Sequence, residues 1–147
     1  MSVLRLGYVH ARVTDMAEAK SHYERTLGLR HVGDEAGKAY YRGWDEWEHH
    51  SVVLEEGGVG LVKLGYRVSD AADLEAYESK AKTFGVTCER MAKGDNPEVS
   101  DGLRITLPSD HIVELYHDMT VTGNDVGFIN PEVFPRDLVG VGVPGID

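Results

Sequence analysis

HARVTDMAEAKSHYERTLGLR at residues 10–30 and GYRVSDAADLEAYESKAKTFGVT at residues 65–87 are two renderings of one pattern. Arg12-Val13-Thr14-Asp15 returns as Arg67-Val68-Ser69-Asp70, and Leu27-Gly28-Leu29 returns as Phe84-Gly85-Val86. Such a repeat means two copies of one supersecondary unit, each burying its apolar face with the help of the other. From Asp15 to Gly28 is 13 positions and from Asp70 to Gly85 is 15, a difference that half a turn of helix or loop absorbs.

Working outward, Leu6, Tyr8, His10 and Arg12 alternate with Gly7, Val9, Ala11 and Val13, the two-residue period of a strand. Asp15 is placed to cap a helix, with Glu18 completing a capping box. Met16, Ala19, Tyr23 and Leu27 share one helical face, as do Leu74, Tyr77, Ala81 and Phe84 in the second copy. Gly28 and Gly85 stand where a helix end favours a left-handed residue. Three short strands are predicted after each helix: Arg30 to Asp34, Ala39 to Trp44 and Ser51 to Glu55, then Thr87 to Met91, Leu103 to Leu107 and Ile112 to His117. Gly37, Gly57-Gly58, Asn96-Pro97, Asp101-Gly102 and Pro108-Ser109 supply turns. The expected class is α+β: two tandem βαβββ modules, about residues 3–58 and 59–118, making one domain over residues 1–118 with a mixed, curled sheet. Residues 119–147 turn rich in Gly and Pro and read as a connector. Phe128, Val133, Phe134 and Leu138 make it apolar enough to lie against another surface or along its own domain.

With 147 residues, 41% hydrophobic and 27% charged, the chain supports one good core rather than two. A formal charge of −10 without a Lys/Arg cluster argues against nucleic acid or an anionic membrane as partner. No apolar run approaches the roughly 20 residues that span a bilayer, and the opening residues lack a signal-peptide pattern, so a cytoplasmic setting is expected. The single Cys88 has no disulfide or CxxC partner and reads as a buried, inert thiol. Gly57, Gly58 and Gly60 lack the Lys-Ser/Thr of a phosphate loop. Neither a Ser-His-Asp nor a Cys-His signature is present, so no catalytic residue is assigned. Tyr40, Tyr41, Trp44 and Trp47 are expected in the core or at a subunit contact rather than around an aromatic substrate. The acid run Asp45, Glu46 and Glu48, with Glu55-Glu56, reads as a solvated edge that discourages strand pairing.

The repeat resembles the vicinal oxygen chelate superfamily of glyoxalases, bleomycin-resistance proteins and extradiol dioxygenases. Four stretches resemble more specifically the N-terminal domain of the catechol 2,3-dioxygenase family: LGYVHARVTDMAEAKSHYERTLGL (6–29), WDEWEHHSVVLEE (44–56), SDHIVELYHD (109–118) and NPEVFPRDLVGVG (130–142). The likeness covers essentially the whole chain. It implies a two-domain enzyme in which Fe(II), held by two histidines and a glutamate of a C-terminal catalytic domain, binds catecholate and dioxygen together. It also implies that this chain needs no cofactor or metal of its own, and that its partners are that domain and further copies of itself in a homo-oligomer.

In the superfamily, ligands sit on the first and last strands of each unit, which maps them here onto Tyr8, Val53, Lys63 and Glu114. Only Glu114 is of ligand type. A slipped register would offer His10, His50 and Glu114 instead. The favoured reading pairs Glu114 with Lys63 or an arginine across the barrel, because a buried carboxylate demands compensation. Two rivals remain: a free-standing dimer of the bleomycin-resistance type holding a small ligand between modules, where the acidic surface suits a cation, and a single-domain metal-dependent isomerase or lyase in which Glu114 and His10 join a second subunit.

Overall fold

The computed structural model describes residues 2–124. Its elements are β1 (Val3–Val13), α1 (Met16–Ser21), β2 (Arg30–Glu35), β3 (Lys38–Arg42) and β4 (Val52–Glu56), then β5 (Gly60–Val68), α2 (Ala71–Phe84), β6 (Thr87–Met91), β7 (Gly102–Thr106) and β8 (Ile112–Tyr116). This is the expected βαβββ unit twice over. The strands form one mixed sheet in the order β2-β3-β4-β1-β5-β8-β7-β6, with β1 parallel to β4 and β5 parallel to β8. The modules meet at the antiparallel β1–β5 pair, where Tyr8 faces Gly65 and His10 faces Lys63.

Both helix starts follow the local chemistry. Asp15 accepts the Glu18 N–H at 2.8 Å and Asp70 accepts the Asp73 N–H at 3.2 Å. Gly85 ends α2 in the left-handed region, φ 82°. The two-residue difference between the copies falls within the helices: α1 is short and widens into a π turn over His22–Thr26, the Leu27 N–H reaching the His22 carbonyl at 3.1 Å.

Strand alternation then sorts side chains onto two faces. Ala11 and Val13 of β1, Ala39 and Tyr41 of β3, and Val52 and Leu54 of β4 pack with Met16, Ala19 and Tyr23. In the second module Tyr66, Val68, Leu103, Ile105, Val113 and Leu115 pack with Leu74 and Tyr77. The opposite parity carries Tyr8, His10, Lys38, Tyr40, Val53, Lys63, Arg104 and Glu114, so one face is apolar and helix-covered while the other is rich in polar groups.

Several expectations are corrected. Leu27 and Phe84 do not join their helix faces: they are 43% and 82% exposed, beside the terminal glycines, and the packed face stops a turn earlier. Trp47 is exposed while Tyr40, Tyr41 and Trp44 are buried. Cys88 is half-buried, since it lies on β6 at the edge of the sheet. Most consequentially, Asp45, Glu46 and Glu48 are buried rather than solvated. Arg5 grips Glu46 through two bonds of 2.7 and 2.9 Å and reaches Glu48 at 2.7 Å. Arg67 pairs with the other Glu48 oxygen, and the Tyr116 hydroxyl donates to Glu48 at 2.8 Å. These cations lie far away in sequence, so the acid run looked unpaired.

The start of the expected connector is built into the domain. Met119 is buried, the His49 N–H donates to the Thr120 carbonyl and the Thr122 N–H to the Trp47 carbonyl, each at 2.9 Å. Phe128, Val133, Phe134, Leu138 and the stretch 130–142 lie outside the described residues. Among the described residues no helix is long and apolar enough to cross a membrane.

Candidate functional site

A chamber of about 210 Å³ opens on the polar face of the sheet. Tyr8, Val53 and Lys63, three of the four positions mapped from the superfamily, line it together with His10, Tyr40, His50, Asn96 and Arg104. Glu114, the fourth, is fully buried and bonded to four of these lining residues, Tyr8, Lys63, Asn96 and Arg104. The repeat thus brings the four positions together, as its alignment predicts.

What meets there is a saturated carboxylate. The Glu114 Oε1 accepts from Lys63 Nζ at 3.1 Å and from Arg104 at 2.8 Å (Nε) and 2.6 Å (Nη2). Its Oε2 accepts from the Tyr8 hydroxyl at 2.5 Å and Asn96 Nδ2 at 2.9 Å. A carboxylate offers about four lone-pair sites, and five donor contacts occupy them. Burial would lift this carboxyl, yet Lys63, Tyr8 and Arg104 together hold it below its ordinary range. The same pairing acts on its partners: burial and then the Glu114 charge push the Tyr8 phenol up, while burial lowers the Lys63 ammonium against the pull of Glu114.

As a divalent metal site this donor set does not fit. A metal would need Glu114 oxygens already taken and would face Lys63 and Arg104 charges directly. The slipped set is not assembled either. His10 Nε2 pairs with Glu55 at 3.1 Å, and His50 Nδ1 meets His49 Nδ1 at 3.0 Å. Among the described residues no group of three or more His, Cys, Asp or Glu is placed to share one ion. Sequence reasoning assigned Glu114 either Lys63 or an arginine as partner, and the structure supplies both. Asn96, read only as a turn residue, was missed. Arg104 itself was legible in the hairpin, since a turn centred on Ser109 sets residue 104 across from residue 114.

His50 adds a pH response. Its ring packs against Tyr8 and Tyr40 at centroid distances of 5.5 and 5.0 Å. Burial first, then His49, Lys63 and His10, push its pKa down to about 3. An unfolded histidine titrates near 6.5, so between those values the unfolded state binds a proton that the folded state refuses. Stability from a neutral His50 is complete above about pH 6.5 and declines as pH falls, by up to about 1.4 kcal/mol per pH unit for one proton. Glu114, with its lowered carboxyl, adds a loss in the same direction below the unfolded carboxylate range. Urea midpoints from pH 7 to pH 4.5 are expected to fall steeply for the parent chain and less steeply for His50→Phe. Equal slopes would mean that His50 is not held neutral.

The fold and the polar chamber place the chain among vicinal oxygen chelate domains. Residues 63–120 match the family model described as the catechol 2,3-dioxygenase-like N-terminal domain. The chain is 34% identical over 142 residues to metapyrocatechase of Pseudomonas sp. (strain CF600), covering 95% of this chain and 46% of that protein. It is 21% identical to a manganese-dependent 2,3-dihydroxybiphenyl 1,2-dioxygenase of Geobacillus genomosp. 3, covering 80% of this chain and 38% of the relative. Among solved structures, the 2,3-dioxygenase LapB of Pseudomonas sp. KL28 superposes with TM-score 0.81 at 33% identity, over 93% of this chain and 49% of that one. A homoprotocatechuate 2,3-dioxygenase variant of B. fuscum superposes with TM-score 0.79 at 27% identity, over 86% and 36%. In sequence and fold the chain is similar to the N-terminal domain of extradiol dioxygenases of the catechol 2,3-dioxygenase type. It spans about half the length of the curated relative it matches over most of its own length.

Proposed function

We propose that this chain is the N-terminal half of an enzyme that opens catechol rings with dioxygen, and that it contributes architecture rather than the reacting centre. The observation that carries this reading is Glu114: the one residue of ligand type in the superfamily positions is consumed by two cations, a phenol and an amide. Charge that elsewhere in the superfamily is balanced by a metal is balanced here by Lys63 and Arg104. Fe(II) would then be held by a C-terminal catalytic domain, the covalent partner of this one, in a cytoplasmic homo-oligomer. The coverage of the relatives supports the two-domain part of this reading.

The 147-residue chain, loaded anaerobically with Fe(II) and then given catechol and air, is expected to form no yellow ring-cleavage product. Sustained turnover would overturn the assignment of the chemistry to another domain.

A further inference from the structure

We propose that the chamber between the two modules is itself a binding site, and that it takes a small planar monoanion: a carboxylate or phenolate carried on a single ring. It stands independently of the assignment of ring opening to another domain.

The walls dictate the shape. At about 210 Å³ the chamber is below the roughly 300 Å³ at which pockets begin to hold drug-sized ligands, which leaves room for one ring with a polar substituent. Tyr8, Tyr40 and His50 form an aromatic lining, with the Tyr40 and His50 rings edge to face. Flat faces of this kind favour a flat guest.

The unused donors dictate the charge. Lys63 spends two of its three ammonium hydrogens, on Glu114 and on Asn96 Oδ1 at 2.6 Å, and the third has no protein acceptor among the described residues. Lys38 lines the same chamber and has no ion partner among the described residues. His50 is 1% exposed, and only its Nδ1 is bonded, to His49. The His50 Nε2 has no protein partner among the described residues, and it donates in one tautomer and accepts in the other. The Tyr40 hydroxyl, on a residue that lines the chamber, is a further donor without a protein partner among the described residues. The acceptors on the walls are otherwise engaged or solvated. Glu114 is saturated, Glu55 pairs with His10 and Arg12, and the carboxylates of Glu35 and Asp95 stand on exposed residues at the rim. Within the chamber the unmet charge is therefore that of two ammonium groups, Lys63 and Lys38, with the Tyr40 hydroxyl beside them, and an oxyanion meets that need.

Benzoate and its neutral analogue benzyl alcohol, titrated into the 147-residue chain, test this by the ring ¹⁵N and ¹H resonances of His50. Benzoate is expected to bind saturably and shift His50, with benzyl alcohol and acetate each at least tenfold weaker. Lys38→Met is expected to weaken benzoate at least tenfold while Lys38→Arg retains it. A benzoate affinity equalled by benzyl alcohol would refute the anionic selectivity, and one equalled by acetate would refute the ring. The absence of any saturable His50 shift in the parent chain would refute the site.

Discussion

Replacing Glu114 with alanine is expected to lower the stability of the folded chain by about 3–5 kcal/mol, read as the urea unfolding midpoint at pH 7. The size follows from what is left behind. Glu114 is fully buried, and its removal strands Lys63, whose side chain is only 13% exposed, with no carboxylate, and takes the acceptor from Tyr8. Uncompensated buried charge costs more than a lost surface pair, which is typically worth 0–1 kcal/mol. Arg104 is 30% exposed and retains Glu89 at 2.9 Å, so it suffers less. The double variant Glu114→Leu with Lys63→Met is therefore expected to recover much of the loss, since it removes both members of the pair. A cost for Glu114→Ala below about 1 kcal/mol would show that the carboxylate is neither buried nor paired as described.

Glu48→Ala is expected to cost about 3 kcal/mol or more, by the same measurement. Glu48 is 2% exposed and takes Arg5, Arg67 and the Tyr116 hydroxyl. Its own backbone N–H is held by Glu46 at 3.0 Å, so the acids brace one another as well as the strands beneath. The segment also carries the pairing of residues 47–49 with residues 120–122, so amide exchange of His49 and Thr122 is expected to accelerate in the variant. Glu56→Ala, an exposed member of the other acidic pair, is expected to stay within about 0.5 kcal/mol. Equal, small effects for Glu48 and Glu56 would restore the view of both as solvated edge residues.

The contrast between these two acids shows where reading a sequence stops. Glu48 and Glu56 look alike in a list of charges, and only the folded chain separates them. Arg5 lies 43 residues from Glu48, and nothing in the periodicity of either segment announces their meeting. Asn96 was likewise legible only as a turn residue, although its amide bridges Lys63, Tyr8 and Glu114. Leu27 and Phe84 fail in the opposite sense. Helical periodicity places them on the apolar face, but a wheel carries no information about where packing against the sheet ends.

The modules, their helix caps at Asp15 and Asp70, the left-handed glycines and the alternation of the first strand were determined by the sequence alone, because each depends on neighbours a few residues away. The placement of Tyr8, Val53, Lys63 and Glu114 at one locus was also legible, because the repeat relates them by symmetry. Only the tertiary structure decided what that locus contains: a carboxylate closed off by Lys63, Arg104, Asn96 and Tyr8, and beside it a chamber of unspent donors. Tyr8 and Glu114 are separated by 106 residues and joined by a hydrogen bond of 2.5 Å. Compensation of buried charge is a property of space, and it emerges only when the two modules close their sheet.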